Sequence, residues 1–205
     1  MAMNSEDKRK NETRGKAAPK KREADANGAT ALWGAAAAGV AVGVAAMIGR
    51  KVAVQAPTAL AGDWDIALAA EHKAVMKIFD IFEETTSQNT TKRTLLLTQL
   101  KHALAKHALQ EENTIYPALR DIGKTEEADS LNKDHGYVKQ YLYELDNCPR
   151  ASDTFLAILR RFRTDLEKHV REEEDTLFPG LKAQLSLEAN KKLTFAMNRE
   201  GFKLA

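Results

Sequence analysis

The chain repeats itself. Residues 106–119 read KHALQEENTIYPAL and residues 168–181 read KHVREEEDTLFPGL, so Lys, His, two Glu, Thr, Pro and Leu recur in place at an offset of 62. Upstream, Glu71-His72 matches Asp134-His135 at an offset of 63. The spacing from His72 to His107 is 35 residues and from His135 to His169 it is 34. The soluble part of the chain is therefore two copies of one helix pair, each with an acid-His on its first helix and a His-x-x-x-Glu on its second.

Hydrophobic periodicity supplies the helices. Asp63 is placed to cap a first helix carrying Leu68, Val75, Ile78, Phe79 and Phe82 on one stripe, ended by TTSQNTT. A second runs from about Lys92 to Leu119 and stops at Asp121-Ile122-Gly123. A third spans about Thr125–Leu145, and a fourth, capped by Ser152, spans Asp153–Leu181. A short fifth follows Ser186, over residues 186–205. Aromatic residues are only 6% of the chain and no strand candidate appears. The expected fold is all-α, an up-and-down antiparallel four-helix bundle with internal twofold pseudo-symmetry.

On a helix, positions i and i+4 lie roughly 40° apart, so His107 and Glu111 share a face, as do His169 and Glu173. Turned inward, with His72 and His135 from the other helices, they bring four imidazoles and two carboxylates into one cavity. That set suits two divalent ions, each with two imidazoles and both bridged by carboxylates. Donors without thiolate suit iron or manganese, and open positions suit a small ligand such as dioxygen. A single cysteine, Cys148, excludes an internal disulfide, a cysteine-based zinc site or an iron–sulfur cluster within one chain. Carboxylate-bridged bundles of the Glu-x-x-His type have a different order and spacing. His102 lies roughly 140° around the helix from His107 and is expected to face outward. Glu112 and Glu174 are expected to face solvent or to accept hydrogen bonds from ligands. Glu71 and Asp134 read as surface charge, with an outer role toward a ligand the alternative, and Tyr116 and Phe178 as core residues closing the bundle. Tyr137 and Tyr141 lie on the His135 helix within possible reach of the metals, with ordinary packing the alternative, and Cys148 is expected to be inert.

His72, His107-x-x-x-Glu111, His135 and His169-x-x-x-Glu173, followed by Tyr116-Pro117 and Phe178-Pro179, resemble the hemerythrin-like (HHE cation-binding) domain over about residues 63–185. The resemblance implies a four-helix bundle holding a non-haem di-iron centre bridged by carboxylates and usually an oxo or hydroxo group. His72, His107, His135 and His169 would be terminal ligands and Glu111 and Glu173 bridges; manganese or zinc are the alternative ions. Oxygen-carrying hemerythrins have a His-x-x-x-His on one helix. Here that position is a Glu, as in the HHE subgroup, which argues against pure oxygen storage. Three functions stay open: a binder or sensor of oxygen, nitric oxide or peroxide, or an iron reservoir; a di-iron peroxidase or catalase-like enzyme; and a bundle with a structural divalent metal. A sensor would need a separate protein partner.

The rest of the chain differs in kind. Residues 1–29 carry eight Lys/Arg and five Asp/Glu with no Leu, Ile, Val or aromatic, and read as a disordered tail. Residues 31–49, ALWGAAAAGVAVGVAAMIG, hold no charge. As a helix they reach about 28 Å, close to the hydrocarbon thickness of a bilayer. The segment 30–51 is expected to span a membrane once, with the basic residues before it favouring an outside position for the bundle. An Ala/Gly-rich helix in a cytoplasmic soluble chain, and an exported chain whose signal peptide is cleaved after Ala59-Leu60-Ala61, are the alternatives. Residues 52–62, with Pro57 and Gly62, read as a linker. A formal net charge of +2 argues against a nucleic-acid binder. A span predicts that the full-length protein sediments with membranes after carbonate washing; recovery in the soluble fraction would remove the anchor.

Overall fold

A computed structural model of the chain describes residues 46–205, which form helices without strands. The expected span at 31–49 lies outside the described residues but for its last four, as does the tail. No helix among the described residues is long and apolar enough to cross a membrane.

The leucine and phenylalanine stripes close into a bundle of four long helices, α2 (Trp64–Glu83), α3 (Thr90–Gln110), α5 (Thr125–Asn147) and α6 (Asp153–Glu172). Neighbours run antiparallel. Lys101 meets Asp146 at one level of α3 and α5 while Glu112 meets His135 at another, and on α5 and α6 Glu144 faces Arg161 while Asp134 faces His169. The apolar residues divide into two clusters. One holds Phe79, Phe82, Leu100, Phe155 and Phe162; the other holds Trp64, Leu68, Ile115, Leu131, Phe178 and Met197. The histidine level lies between them.

Two of the expected long helices are continuous but not uniform. After α3 the chain makes a π-turn over Glu111–Ile115 before α4 (Tyr116–Asp121), and after α6 a matching π-turn over Glu173–Leu177 before α7 (Phe178–Gln184). The cause is legible in both repeats. Pro117 and Pro179 have no N–H to return to the carbonyl four residues earlier, and their rings crowd it, so the helix widens at that place. Beyond α4, Gly123 at φ 84° ends the helix, with its N–H on the Arg120 carbonyl and the Lys124 N–H on that of Leu119.

Residues 52–62 are not a linker. Helix α1 covers residues 46–61 despite Pro57, and Gly62 at φ 125° makes the bend into α2. Asp63 occupies the N-cap position of α2 without capping it; its carboxylate pairs with Lys182 at 3.2 Å instead. Ser152 and Ser186 do cap, accepting from the N–H of Thr154 and Ala189. The fifth helix, α8, spans Leu187–Leu204 and lies along α3 and the first π-turn. Lys51 of α1 donates to the terminal carbonyls of α8 at Phe202 and Lys203 (2.9 and 2.6 Å), where a cation complements the helix dipole.

Trp64 ties these layers together. It is fully buried, meets the Phe178 ring edge-on at 5.2 Å, and donates its indole N–H to Asn190 of α8 at 2.9 Å. Trp64→Ala should cost about 3–5 kcal/mol in urea denaturation, the range for emptying a large aromatic site. Leu187→Ala, at a residue 73% exposed, should stay within about 0.5 kcal/mol. Equal midpoints for the two variants would remove Trp64 from this role.

Candidate metal centre

Each helix pair brings its donors to one level between the two apolar clusters. His72 comes from α2, His107 from α3, His135 from α5 and His169 from α6, while Glu111 and Glu173 open the two π-turns. All four imidazoles are 3–4% exposed and both glutamates 0%. His72 Nε2 and His107 Nε2 approach to 2.8 Å, and Glu111 Oε1 lies 3.1 Å from His107 Nε2. The other oxygen of Glu111 is 3.3 Å from His135 Nε2. Glu173 Oε2 stands 3.4 Å from His72 Nε2 and 3.3 Å from His169 Nε2. Both carboxylates therefore reach from one imidazole pair to the other. His72, His107, Glu111 and Glu173 converge with donor atoms within 4.8 Å of one another, and so do Glu111, His135 and His169. The structure brings all six expected residues together. His102 is not among them, although its Nε2 is buried without a hydrogen-bond partner among the described residues rather than facing outward as expected; Tyr137 and Tyr141 line a groove beside His169, the latter donating to Asp165.

The donor set fits metal ions. Glu111 Oε1, Glu173 Oε2 and His169 Nε2 are buried and have no hydrogen-bond partner among the described residues. Orphaned carboxylate oxygens in a dry interior are costly, and a cation between them removes the cost. Burial works against charge on both kinds of group, yet each outweighs it by holding the other. The imidazoles of His107 and His135 carry Glu111 well below the usual carboxylate range. In return Glu111 and Glu71 raise His107, and Glu111 and Glu112 push His135 up to about 9. Metal ions would replace the protons in that balance.

Three further carboxylates hold outward nitrogens of the imidazoles, which is how ligating histidines are oriented, and a fourth stands off beside the last. Glu174 is 2.7 Å from His72 Nδ1, Glu71 3.1 Å from His107 Nδ1, Glu112 3.0 Å from His135 Nδ1, and Asp134 3.5 Å from His169 Nδ1. Glu71 and Asp134 are thus not simple surface charge. Each precedes one histidine in sequence and serves the other histidine of its helix pair. Glu71 is the most embedded: burial raises its carboxyl, but His107 and Lys106 together hold it down at about 2.

Tyr116 is a core residue, as expected, but its hydroxyl has a role that the sequence did not reveal. It is buried, but its hydroxyl enters the cluster, donating to Glu173 Oε1 at 3.0 Å and standing 3.0 Å from His135 Nε2 and 3.3 Å from Glu111 Oε2. On a regular α-helix it would point about 140° away from Glu111. The π-turn, closed by the Tyr116 N–H on the Glu111 carbonyl, returns it to the same face. Burial and the two glutamates keep the phenol protonated well beyond its ordinary range. Phe178, its counterpart, stacks on His72 at 6.3 Å and adds no polar atom.

Comparison with known proteins agrees with this geometry. Residues 66–181 match the family model described as the Hemerythrin HHE cation binding domain. An uncharacterized hemerythrin-like protein of Schizosaccharomyces pombe is 26% identical over 137 residues, covering 65% of this chain and 66% of the relative, just under two thirds of its length. No solved structure matches significantly. With the duplicated His and Glu donors gathered in one buried cluster inside the matched region, the chain belongs to the hemerythrin HHE cation-binding family.

Proposed function

We propose that the six-residue cluster holds two iron ions and that the pair takes up a small ligand: oxygen, nitric oxide or peroxide. The observation that carries this reading is the convergence of four imidazoles and two carboxylates in one buried cluster, with an apolar cavity of about 110 Å³ beside it against His107, His135 and His169, walled by Leu104, Val138 and Leu166. The cavity suits a diatomic molecule or peroxide and is too small for an ordinary organic substrate. His72 and His107 would hold one ion, His135 and His169 the other, with Glu111 and Glu173 across both. Imidazole and carboxylate donors with open positions suit iron or manganese ahead of softer ions. Iron in such a site supplies reversible one-electron chemistry and an open position for the ligand. The protein's part is to exclude water, fix the imidazoles through the outer carboxylates, and keep a proton on Tyr116.

That proton supports a second reading, a peroxidase-type enzyme. Reduction of peroxide to water consumes protons, and Tyr116 Oη holds one at the donor cluster itself. Mixing the ferrous protein separately with oxygen, nitric oxide and peroxide distinguishes binding from turnover.

After anaerobic ferrous loading, elemental analysis should find two iron ions per chain, with near-ultraviolet absorption from the oxidised ferric pair. A single zinc ion, and no iron after loading, would overturn the reading.

The bridging role makes a sharper demand. Glu111→Ala or Glu173→Ala removes a buried charge shared by both ions, so each variant should lose most of its iron. His102→Ala should keep it. Circular dichroism must show the helices intact in each, because an unfolded bundle also loses metal. Full iron in Glu111→Ala, or loss in His102→Ala, would refute the ligand assignment.

A further inference from the structure

The two halves of the bundle match in their ligands but not in what covers them. In the first half, Thr58 of α1 sits between Glu71 and Lys106. Its hydroxyl donates to Glu71 Oε1 at 2.5 Å and accepts from Lys106 Nζ at 2.9 Å, while Gln55 accepts from the same amine at 3.3 Å. Lys106 is only 6% exposed as a result, and Glu71 is held firmly against His107.

Repeat symmetry maps Glu71, Lys106 and His107 onto Asp134, Lys168 and His169. There, no helix supplies a hydroxyl among the described residues. Instead Asp134, Lys168 and His169 line one end of a groove of about 440 Å³ between α5 and α6. Lys168 is exposed. His169 Nδ1 is buried with no hydrogen-bond partner among the described residues, and Asp134 stands off at 3.5 Å. The groove wall is mixed: Tyr141 stacks on Phe162 at 5.0 Å and 14°, beside Val138 and Leu166, while Glu144, Arg161 and Asp165 line its far end. Val138 and Leu166 also wall the small apolar cavity beside His107, His135 and His169.

We propose that this groove binds a hydroxyl-bearing aromatic molecule of the phenol class. Its hydroxyl takes the place that Thr58 fills in the other half, donating to Asp134 and accepting from Lys168. Its ring lies along Tyr141, whose own ring is backed by the buried Phe162. Asp134 is thereby fixed against His169 Nδ1 as Glu71 is against His107. Binding rests on the groove alone; the effect on the metal pair rests on the di-iron reading.

The probe is 2-naphthol, titrated into the metal-free full chain by calorimetry. One site per chain is expected, with a dissociation constant on the order of 100 µM for a ligand of this size. Gln140→Trp, at an exposed groove position, should weaken binding at least about tenfold by filling the space. 2-Methoxynaphthalene, which has no O–H to donate to Asp134, should bind roughly tenfold more weakly to the unaltered protein. In iron-loaded protein, 2-naphthol should shift the ferric absorption, and Gln140→Trp should abolish the shift. No saturable binding to metal-free protein, unchanged binding in Gln140→Trp, or equal affinity for the methoxy probe would overturn the site. Failure of iron loading with 2-naphthol binding intact would refute the di-iron reading and leave the groove standing.

Discussion

Two carboxylates with no exposure to water, Glu111 and Glu173, are the constraint on which the structure turns. An isolated carboxylate in a protein interior is expensive, and two together more so. The bundle answers by ringing them with four imidazoles and then ringing the imidazoles with Glu71, Glu112, Asp134 and Glu174. Apolar clusters close the site above and below, raising the strength of every charge interaction between them. The four-helix frame makes this possible because antiparallel neighbours place position i+1 of one motif beside the histidine of another.

The duplication made the inner ring legible. His-x-x-x-Glu twice, with one further histidine before each, leaves little choice of face once the helices are drawn. The outer ring was harder to see because its partners cross between helices: Glu112 follows Glu111 in sequence but serves His135, and Glu174 serves His72. Tyr116 was hidden for a different reason. Helical-wheel reasoning assumes one angular step per residue, and the π-turn inserts a residue and breaks that count. The signal was present in Tyr116-Pro117 and Phe178-Pro179, where a proline inside an amphipathic helix announces a local change of geometry. Helix α1 was misread because Pro57 and Gly62 suggest a loop, while the residues that dock it, Lys51, Gln55 and Thr58, are polar and leave no hydrophobic stripe.

The same polar docking breaks the symmetry. Met47, Ile48, Val52 and Leu60 of α1 remain exposed, so the helix is held by hydrogen bonds to Lys106, Glu71 and the end of α8 rather than by an apolar face. Among the described residues of α1, Thr58 hydrogen-bonds Glu71 directly and Gln55 reaches it through Lys106. One imidazole pair is thus tied to the N-terminal helix and the other to an open groove, so the two ions of an otherwise symmetric pair would sit in unequal surroundings. Tyr116 against Phe178 adds to that inequality, since one repeat contributes a hydroxyl and the other a bare ring.

Charge counting explains why the inequality is tolerable. Six carboxylates face four imidazoles in two shells, and Lys106 and Lys139 each pair with an outer carboxylate, Glu71 and Glu112. With the imidazoles neutral, two divalent cations together with these two ammonium groups would balance the six negative charges. Without the cations the imbalance falls on protons, which is why His107 and His135 are driven upward and Glu111 downward. A site built this way does not need identical halves. It needs the total to close within a few ångströms, and each half can then differ in what it hydrogen-bonds, how much water it meets and what it admits.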